Sequence, residues 1–243
     1  MQRQEKTLYV IIPAAGIGSR MGINDSKQFL EIQGVPVLLR TIRAFEAFGQ
    51  KEGLIIHGII VTTSENIERV RDLLSAHQVT IFESVVCGGD TRQESVRNGL
   101  LALANLACPP QEDDILFVHD GARCFVDEAT LRASYEGGLQ YPVCVASVPV
   151  KNTIKQMHSP SDLTVEKTLD RALLREVQTP QVFHYSLFMK AMDEAIKNGI
   201  DATDDTALAE AIGLPVYLTS GSYRNIKITT PEDVFIAQSF LNE

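Results

Sequence analysis

The sequence predicts an α/β fold with a single doubly wound, mostly parallel sheet. Apolar runs of strand length alternate with segments in which apolar residues recur at helical spacing. Glycine-rich turns follow two of these runs, at 13–18 and 88–90. Strands that alternate with helices form parallel sheets covered on both faces, and such sheets bind ligands at the carboxyl ends of their strands. We therefore expect the functional residues in the loops that follow the strands.

Apolar runs predict the strands of this sheet. The first, Leu8 to Ile12, is continuous and is stopped by Pro13 and a glycine-rich loop, which is typical of a buried strand. The remaining predicted strands lie at 54–62, 79–86, 114–119 and 143–148.

Apolar spacing predicts the helices in the first part of the chain. Pro36 is expected at the first helical position, and Leu38, Ile42 and Phe45 follow at helical spacing. A charged amphipathic helix is predicted at 64–77.

Capping residues predict the later helices. The expected caps are Thr91, either Thr203 or Asp204, and Thr230. Glu94 completes a capping box that begins a helix through Ala104. Gly213 is expected to end the second of these helices, and Pro231 to occupy the first position of the third.

Length and composition favour one domain, 1–243. The chain has 243 residues, of which 44% are hydrophobic, enough to bury a substantial core. It carries 31 acidic and 22 basic residues, and its net charge of −9 disfavours general binding to nucleic acids or membrane surfaces. Its apolar runs are far shorter than the about 20 residues of a membrane span.

The amino terminus predicts a strand rather than a signal peptide, because Pro13 and the following glycines interrupt the apolar run early. We therefore expect a cytoplasmic protein. Its cysteines share no C-x-x-C spacing and are expected to be reduced and structural: Cys87, Cys108, Cys124 and Cys144.

The segment 151–181 departs from the alternation of strands and helices. It is polar, has β-like pieces around 153–155 and 164–169, and is too long for an ordinary loop. The residues alone leave two interpretations open. The segment is either a flexible excursion or a β-arm that gains its burial from another subunit.

The loop after the first strand indicates a phosphate site. The small residues from Pro13 to Gly18 let the backbone approach a ligand closely, and two cations, Arg20 and Lys27, follow. The loop is not a dinucleotide fingerprint, because Met21 stands at the third glycine position, and the chain has no Gly-Lys-Ser/Thr of a P-loop. The alternative is a glycine-rich turn without a ligand, against which the two cations argue.

A second turn, Gly88 to Asp90, lets a flat base lie against the backbone, with Asp90 and Ser95 as partners for the edge of the base. The alternative is a plain turn in which Asp90 or Thr91 caps the following helix.

Asp120 follows the apolar strand ILFV and its neighbour His119. A carboxylate at the end of a buried parallel strand is well placed to meet Mg²⁺ bound to a triphosphate. The alternative is a loop aspartate paired with Arg123. We expect His119 to be structural.

Motifs along nearly the whole chain resemble those of one enzyme family. The first is PAAGIGSRMG with SKQFLEIQGVPVL, and the others are GGDTRQESV, VHDGAR, PVKNTIK, TLDR, QTPQVF, ATDD and NIKITTPEDV. They resemble sugar-phosphate nucleotidylyltransferases and, more narrowly, the cytidylyltransferases that convert 2-C-methyl-D-erythritol 4-phosphate and CTP to a CDP-alcohol in the non-mevalonate isoprenoid pathway. The resemblance implies a Rossmann-like nucleotidyltransferase fold, Mg²⁺ as cofactor, and a homodimer in which 151–181 is a β-arm that completes the site of its neighbour.

The resemblance also implies a set of site residues. Those expected at CTP are Ala14, Ala15, Gly16, Gly18, Gly89, Asp90 and Ser95. Those expected at the polyol phosphate are Asp120, Arg123, Thr153, Arg171, Thr179 and Thr203, and Asp120 is also the expected metal ligand. The expected catalytic cations are Arg20, Lys27 and Lys227.

The expected reaction needs no strong general base, because the attacking phosphate monoester is already ionised at neutral pH. Its oxygen attacks the α-phosphorus of CTP in line and pyrophosphate leaves, so catalysis depends on positioning and electrostatics. Arg20 and Lys27 are expected to stabilise the α-phosphate and the leaving group. Lys227 is expected to bring the two phosphates together.

Two positions depart from the family pattern. Cys124 stands where proline is usual after DGAR, and Asn152 stands where aspartate is frequent before the arm threonine. A ribitol-5-phosphate cytidylyltransferase is the alternative within the enzyme class, and the DGAR and PVKNTIK segments disfavour it. A Rossmann oxidoreductase is disfavoured by Met21, and a non-catalytic nucleotide sensor by the presence of both Arg20 and Lys27.

Overall fold

The structure is a computed structural model and describes residues 6–16 and 26–242. Gly18 and Arg20, both predicted at the nucleotide site, lie outside the described residues, as does Met21.

The described residues form eleven β-strands. In chain order they are β1 Thr7–Pro13, β2 Glu31–Ile32, β3 Val35–Pro36, β4 Ile55–Thr62, β5 Phe82–Cys87, β6 Ile115–Val118, β7 Val143–Pro149, β8 Lys155–Ser159, β9 Asp162–Thr168, β10 Arg175–His184 and β11 Tyr217–Ser220. Seven of them form the central sheet in the order β11-β7-β10-β6-β1-β4-β5, and β2–β3 and β8–β9 form two small antiparallel sheets.

The central sheet is mostly parallel, which confirms the predicted fold class. Strand β1 lies between β4 and β6 and is parallel to both, with Tyr9 opposite His57 on one side and Leu116 on the other. Strand β5 is parallel to β4, and β11 is parallel to β7. Strand β10 is antiparallel to both of its neighbours, β6 and β7. The carboxyl ends of β1, β4, β5 and β6 therefore meet at one edge.

Seven α-helices occur in the described part of the chain. They are α1 Val37–Glu52, α2 Ile67–Ala76, α3 Arg92–Leu103, α4 Glu128–Gln140, α5 Tyr185–Lys197, α6 Asp205–Ala211 and α7 Pro231–Phe240.

Alternate side chains of β1 show that the central sheet is covered on both faces. Leu8, Val10 and Ile12 belong to one buried cluster, and Tyr9 and Ile11 belong to another. Successive side chains of a strand point to opposite faces, so both faces of the sheet carry a core. All five are at most 1% exposed, and burying an aliphatic side chain of this size stabilises the fold by about 1.5–3 kcal/mol.

Two of the predicted caps account for where helices begin. The Glu94 N–H donates to the Thr91 hydroxyl at 3.1 Å, and the Thr91 N–H donates to the Glu94 carboxylate at 3.0 Å, which confirms the capping box of α3. At α6 the cap is Asp204, whose carboxylate accepts from the Ala207 N–H at 2.8 Å. Of the two candidates left open, Thr203 is therefore not the cap.

Proline marks the start of two further helices. Pro231 occupies the first position of α7, behind a capping box between Thr230 and Asp233, as predicted. The prediction for Pro36 was wrong by one residue, because Pro36 ends β3 with an extended ψ of 139° and α1 begins at Val37. The fixed φ of proline suits an extended residue before a helix as well as the first helical residue.

The predicted boundaries of two other elements differ from the structure. The third strand begins at Phe82, whereas Val79 packs as a buried loop residue. The helix predicted at 64–77 opens with a short 3₁₀ turn, Ser64–Asn66, and becomes α-helical at Ile67.

Helices α4 and α5 and strands β10 and β11 were not predicted. In β10 the polar residues Gln178, Thr179 and Gln181 are buried, which hides the apolar pattern of a strand. Helix α4 contains Gly137 and Gly138, which disfavour a helix in the sequence. An added Cβ on these glycines would approach sheet side chains to 2.6 and 2.9 Å respectively, so close packing on the sheet requires glycine at both positions.

The β8–β9 hairpin lies within the predicted arm, 151–181. Every residue of β9 is exposed, and the side chains of Leu163 and Leu173 are 86% and 81% exposed. From Arg175 onwards the chain belongs to β10 of the central sheet. The part of the predicted arm that lies outside the central sheet therefore ends before Arg175.

The described chain contains no helix of the length and apolarity that a membrane span requires. None of the cysteines forms a disulfide: Cys124 and Cys144 are buried, and Cys87 and Cys108 are exposed. Burial raises the pKa of each buried thiol to about 12, so both remain protonated at neutral pH.

Candidate active site

A cleft of about 290 Å³ opens where β1, β5 and β6 end. It is lined by Pro13, Ala14, Ala15, Gly16, Lys27, Gln28, Gly89, Asp90, Thr91, Arg92, Ser95, Asp120, Gly121, Ala122 and Lys227. The cleft thus lies at the carboxyl edge of the parallel strands, where ligands of such sheets bind.

The first wall of the cleft is the loop that follows β1. The N–H of Ala14 donates to the carbonyl of Val61 at 2.7 Å, and its carbonyl accepts from the buried side-chain amide of Gln28. These two bonds fix the backbone at the start of the loop. A Cβ added to Gly16 would lie 3.6 Å from Cε of Lys27, so the lysine side chain passes beside the glycine backbone at the cleft.

The opposite wall is the glycine turn after β5. A Cβ added to Gly88 would lie 2.6 Å from Oγ of Ser95 and 3.1 Å from Cβ of Ala15, and one added to Gly89 would collide with Cβ of Glu94. The Gly89 N–H donates to the buried Ser95 hydroxyl at 3.1 Å. Only residues without a side chain let this backbone lie so close to the helix and to the first loop.

The two interpretations of this turn do not exclude each other. Thr91 caps α3, as the alternative interpretation required. Asp90 is exposed and lines the cleft, so it lies where an edge of a bound base could meet it.

Asp120 lies at the end of β6, among three cations. Its Oδ2 is 2.8 Å from Nζ of Lys227 and 3.5 Å from Nε of Arg123, and its Oδ1 is 3.7 Å from Nη2 of Arg92. Burial of the Asp120 carboxyl acts to raise its pKa, but the charges of Lys227, Arg92 and Arg123 outweigh burial and hold the pKa below its usual range. Asp120 is therefore ionised at neutral pH. The predicted pairing with Arg123 exists, but Lys227 is the nearer partner.

His119 and Thr179 fix the backbone of Asp120. The buried imidazole of His119 lies 3.1 Å from the Thr179 hydroxyl and 3.2 Å from the carbonyl of Arg123. The Asp120 N–H donates to the same Thr179 hydroxyl at 3.2 Å. Burial lowers the pKa of His119 to about 4, so the ring is neutral and structural, as expected. The Thr179 hydroxyl therefore bonds to His119 and to the backbone of Asp120. The sequence did not indicate that Thr179 positions Asp120.

The loop after Asp120 holds the carboxyl-terminal segment against the cleft. A guanidinium nitrogen of Arg123 donates to the carbonyl of Asn225 at 2.7 Å, and the N–H of Ile228 donates to the carbonyl of Ala122 at 2.9 Å. These bonds flank Lys227 and account for its position at the cleft. Burial lowers the pKa of Arg123, although Asp120 opposes this shift.

Sequence reasoning missed the ion pair between Arg92 and Asp205. Nη2 of Arg92 lies 2.7 Å from Oδ2 of Asp205, whose side chain is 1% exposed. Burial acts to lower the pKa of Arg92, but Asp205 and Asp120 raise it above its ordinary value, so the arginine remains a cation. Both residues stand inside motifs that carried the family resemblance, GGDTRQESV and ATDD, but only the spacing in the fold shows that they meet.

Of the six predicted polyol-phosphate residues, only Asp120 lines the cleft of the single chain. Arg123 and Thr179 lie behind the cleft, in contact with Asp120. Thr153 and Arg171 are exposed residues of the predicted arm, and Thr203 is exposed just before α6. A guanidinium nitrogen of Arg171 donates to the carbonyl of Lys151 at 2.6 Å, so this side chain folds back on the base of the arm.

Asp120 has the donor chemistry of a magnesium ligand. It is an ionised carboxylate at the cleft, and Mg²⁺ is usually held by one or two carboxylates together with substrate phosphates. Among the described residues no group of three or more His, Cys, Asp or Glu side chains forms a metal cage. The Asp120 carboxylate is therefore compatible, as a single donor, with Mg²⁺.

Comparison with known proteins identifies the family. Residues 8–243 match the family model of 2-C-methyl-D-erythritol 4-phosphate cytidylyltransferase (IspD). The chain belongs to this family. It is 41% identical over 234 residues to the 2-C-methyl-D-erythritol 4-phosphate cytidylyltransferase of Desulforamulus reducens, covering 96% of this chain and 95% of that relative. The relative of the same name from Clostridium acetobutylicum is also 41% identical over 234 residues, covering 96% of each chain.

Solved structures of the same family share the fold. The 4-diphosphocytidyl-2C-methyl-D-erythritol synthase of Anaerococcus prevotii superposes with a TM-score of 0.80 at 27% identity, covering 98% of this chain and 99% of that one. The enzyme from Thermus thermophilus has a TM-score of 0.73 at 28% identity, covering 98% and 100% of the two chains.

Family membership confirms the predicted class, a CTP-dependent nucleotidyltransferase of isoprenoid biosynthesis, and the ribitol-phosphate alternative is not favoured. Cys124, one of the two departures from the family pattern, is buried in a small apolar cluster with Ile32, Val37 and Ile228. Its side chain packs between the β2–β3 hairpin and the carboxyl-terminal segment instead of facing the cleft.

Proposed function

We propose that this chain transfers the CMP group of CTP to 2-C-methyl-D-erythritol 4-phosphate, which gives 4-diphosphocytidyl-2-C-methyl-D-erythritol and pyrophosphate. A phosphate oxygen of the acceptor forms a bond to the α-phosphorus, and the bond from the α-phosphorus to the pyrophosphate oxygen breaks. The observation that carries this proposal is the position of Lys27 and Lys227, which both line a cleft whose other wall is a glycine turn. Family membership supplies the substrates.

Lys27 and Lys227 are assigned to the phosphates. Lys27 lies beside the small-residue loop, so its ammonium group serves the α-phosphate and the leaving group together with Arg20. Lys227 serves the acceptor phosphate. Two polyanions must approach each other in this reaction, and fixed cations in a shielded cleft lower that barrier through positioning and electrostatics.

The glycine turn is assigned to cytosine. Gly89, Asp90 and Ser95 form one side of the base site, and Ala14 and Ala15 form the other, because the Gly88 backbone lies against Ala15 with no room for a side chain. A narrow site bounded by backbone suits a pyrimidine better than a purine.

Mg²⁺ is assigned to the triphosphate and to Asp120. When bound, the ion neutralises charge on the triphosphate. Asp120 also orients Lys227 and Arg123, and this second role does not depend on the metal.

We further assign the β8–β9 arm to a homodimer interface. Leu163 and Leu173 are largely exposed in the single chain, and Thr153 and Arg171 lie on the same segment, outside the cleft. In a two-fold dimer the arms would bury these leucines and deliver Thr153 and Arg171 to the polyol phosphate of the neighbouring subunit. Thr203 would complete that subsite from the start of α6.

A cytoplasmic enzyme without nucleic-acid or membrane partners is consistent with the rest of the chain. The net charge of −9 opposes binding to polyanionic surfaces, and the cysteines are free thiols.

The test is release of pyrophosphate from CTP with three acceptors: methylerythritol phosphate, ribitol 5-phosphate and a hexose 1-phosphate. We expect kcat/KM to be highest for methylerythritol phosphate by a factor of about 10² or more, since a site built to hydrogen-bond a polyol discriminates strongly. Equal or higher efficiency with ribitol 5-phosphate would contradict the proposal.

A further inference from the structure

Arg92 lies between two carboxylates and is bound unequally. Its Nη2 is 2.7 Å from Asp205 and 3.7 Å from Oδ1 of Asp120. Arg92 lines the cleft, whereas Asp205 lies behind it and is 1% exposed. The closer and more deeply buried carboxylate therefore holds the guanidinium group.

Asp205 is anchored independently of Arg92. Its N–H and that of Thr206 donate to the side-chain carbonyl of Gln181 at 2.8 and 3.2 Å. Gln181 is 2% exposed and belongs to β10, which pairs on both sides within the central sheet. The backbone of Asp205 is therefore held in place by the central sheet, and the Asp205 carboxylate binds the longer side chain of Arg92 from there.

The distribution of charge around Asp120 depends on where Arg92 is held. Oδ2 of Asp120 binds Lys227 at 2.8 Å, while Oδ1 has Arg92 at a distance beyond a hydrogen bond. An arginine that moved about 1 Å closer would form a charge-assisted hydrogen bond to Asp120, in competition with the ammonium group for the same carboxylate.

We propose that Asp205 is a positioning residue for the acceptor side of the active site, which it serves by holding Arg92 away from Asp120. Asp120 is then left to orient Lys227 toward the incoming phosphate. This inference rests on the proposed assignment of Lys227 to the acceptor phosphate and adds a residue, Asp205, that touches no substrate.

Asp205→Asn is the direct test, because asparagine keeps the shape of the side chain and removes its charge. The released guanidinium group then closes on Asp120. We expect KM for methylerythritol phosphate to rise about tenfold, within the range of coupling between neighbouring residues, and KM for CTP to change by less than about threefold. An unchanged KM for methylerythritol phosphate would overturn the proposal, as would an equal rise in both KM values.

Arg92→Gln in the D205N background distinguishes positioning from direct binding. If the damage comes from the released guanidinium group, its removal returns KM for methylerythritol phosphate most of the way to the wild-type value. If Arg92 itself binds a phosphate, the double variant is as impaired as D205N or more so, and the proposal fails. A role of Asp205 in folding alone would lower the melting temperature of D205N without raising KM for methylerythritol phosphate selectively.

Melting temperatures of all variants accompany the kinetics. If D205N does not fold, R92Q and the double variant replace it, since each lacks the cation that would close on Asp120. The proposal expects these two variants to have KM values for methylerythritol phosphate within about threefold of each other, because the charge of Asp205 no longer matters once Arg92 is absent. A larger difference between the two variants would overturn it.

Lys227→Met separates this inference from the proposed function. If KM for methylerythritol phosphate rises in K227M but not in D205N, the assignment of Lys227 stands and the positioning role of Asp205 is refuted. No rise in K227M contradicts the assignment of Lys227 itself.

Discussion

The ammonium group of Lys227 lies 2.8 Å from Oδ2 of Asp120, so the carboxyl-terminal segment reaches the end of a central strand. The Asp120 carboxyl is ionised at neutral pH because nearby cations outweigh its burial and keep its pKa low. Lys227 is 37% exposed at its side chain and lines the cleft, so it keeps a face toward a ligand while Asp120 holds it in place. A fixed cation of this kind costs little reorganisation when negative charge arrives.

Lys27→Ala should lower kcat by about 10²–10³, because removal of one group that stabilises transition-state charge typically has that effect. The affinity for CTP should fall much less, since the triphosphate keeps its other contacts. Steady-state kinetics and CTP titration calorimetry measure the two effects. Lys190→Ala is a matched control, because Lys190 is an exposed lysine on α5. A near wild-type kcat for K27A would remove Lys27 from the mechanism.

CTP should be preferred over UTP by about 10² or more in kcat/KM, because the N3–H and O4 of uracil reverse the donor and acceptor order of cytosine and leave buried groups unpaired. ATP and GTP should be excluded by size. Competition among the four nucleotides measures this preference. Gly88→Ala should raise KM for CTP, since its Cβ would lie 2.6 Å from Oγ of Ser95 and displace the turn. Comparable efficiency with UTP would refute the assignment of the turn to the base.

His119 should make the folded state less stable in mild acid. Burial lowers its pKa from an ordinary value of 6.5 to about 4. The unfolded chain therefore binds a proton that the folded chain rejects, and stability is lost as the pH falls from 6.5 toward 4. The linkage amounts to about 3 kcal/mol.

Urea unfolding at pH 7, 6, 5 and 4 gives the free energy of unfolding of wild type and of His119→Gln as a function of pH. The effect of His119 is the difference between the slopes of these two curves. The wild type should lose more free energy of unfolding between pH 7 and 4 than H119Q does. His158→Gln, at an exposed position of the hairpin, is the matched control variant. Identical slopes for wild type and H119Q would show that the ring is not held neutral.

The active site should be shared between two subunits. Arg171→Ala and Lys27→Ala chains should each be nearly inactive alone. After subunit exchange, a heterodimer in which Arg171 acts in trans has one site with both residues and one site with neither, so its activity should approach about half of wild type by two-fold symmetry. Steady-state assays of the mixed chains measure the recovery.

Confirmed subunit exchange without recovery of activity would contradict the shared site, as would a fully active monomer. Leu163→Ser supplies a second readout, because Leu163 is 86% exposed in the single chain. The substitution should weaken self-association in analytical ultracentrifugation and leave the fold intact.

Elements that are determined by neighbouring residues could be predicted from the sequence. The apolar run of β1, the Thr91 capping box and the proline at the start of α7 each follow from neighbouring residues, and each is present in the structure. The elements that were missed take their stability from distant partners. Strand β10 is stabilised by two neighbouring strands and by buried polar bonds, such as the one from Asn225 to the carbonyl of Thr179 at 2.8 Å.

The same distinction applies to the cleft. Lys27, Asp120 and the glycine turn follow strands, so topology alone predicts that they lie at one edge. Lys227 was predicted only from the family resemblance. Its position depends on bonds between remote loops, such as that from the Ile228 N–H to the Ala122 carbonyl, and such bonds leave no local pattern in the sequence. No local pattern in the sequence predicts the ion pair of Arg92 and Asp205, because the type and spacing of neighbouring residues do not show which distant charge each side chain meets.

The most direct test of the proposed reaction uses methylerythritol phosphate that carries ¹⁸O in the three non-bridging oxygens of its phosphate. One turnover with CTP is followed by ³¹P nuclear magnetic resonance and mass spectrometry. We expect a CDP-alcohol with label in the oxygen that bridges its two phosphorus atoms, and pyrophosphate without label. Labelled pyrophosphate, or no CDP-alcohol while CTP is consumed, would contradict attack of the acceptor phosphate on the α-phosphorus of CTP.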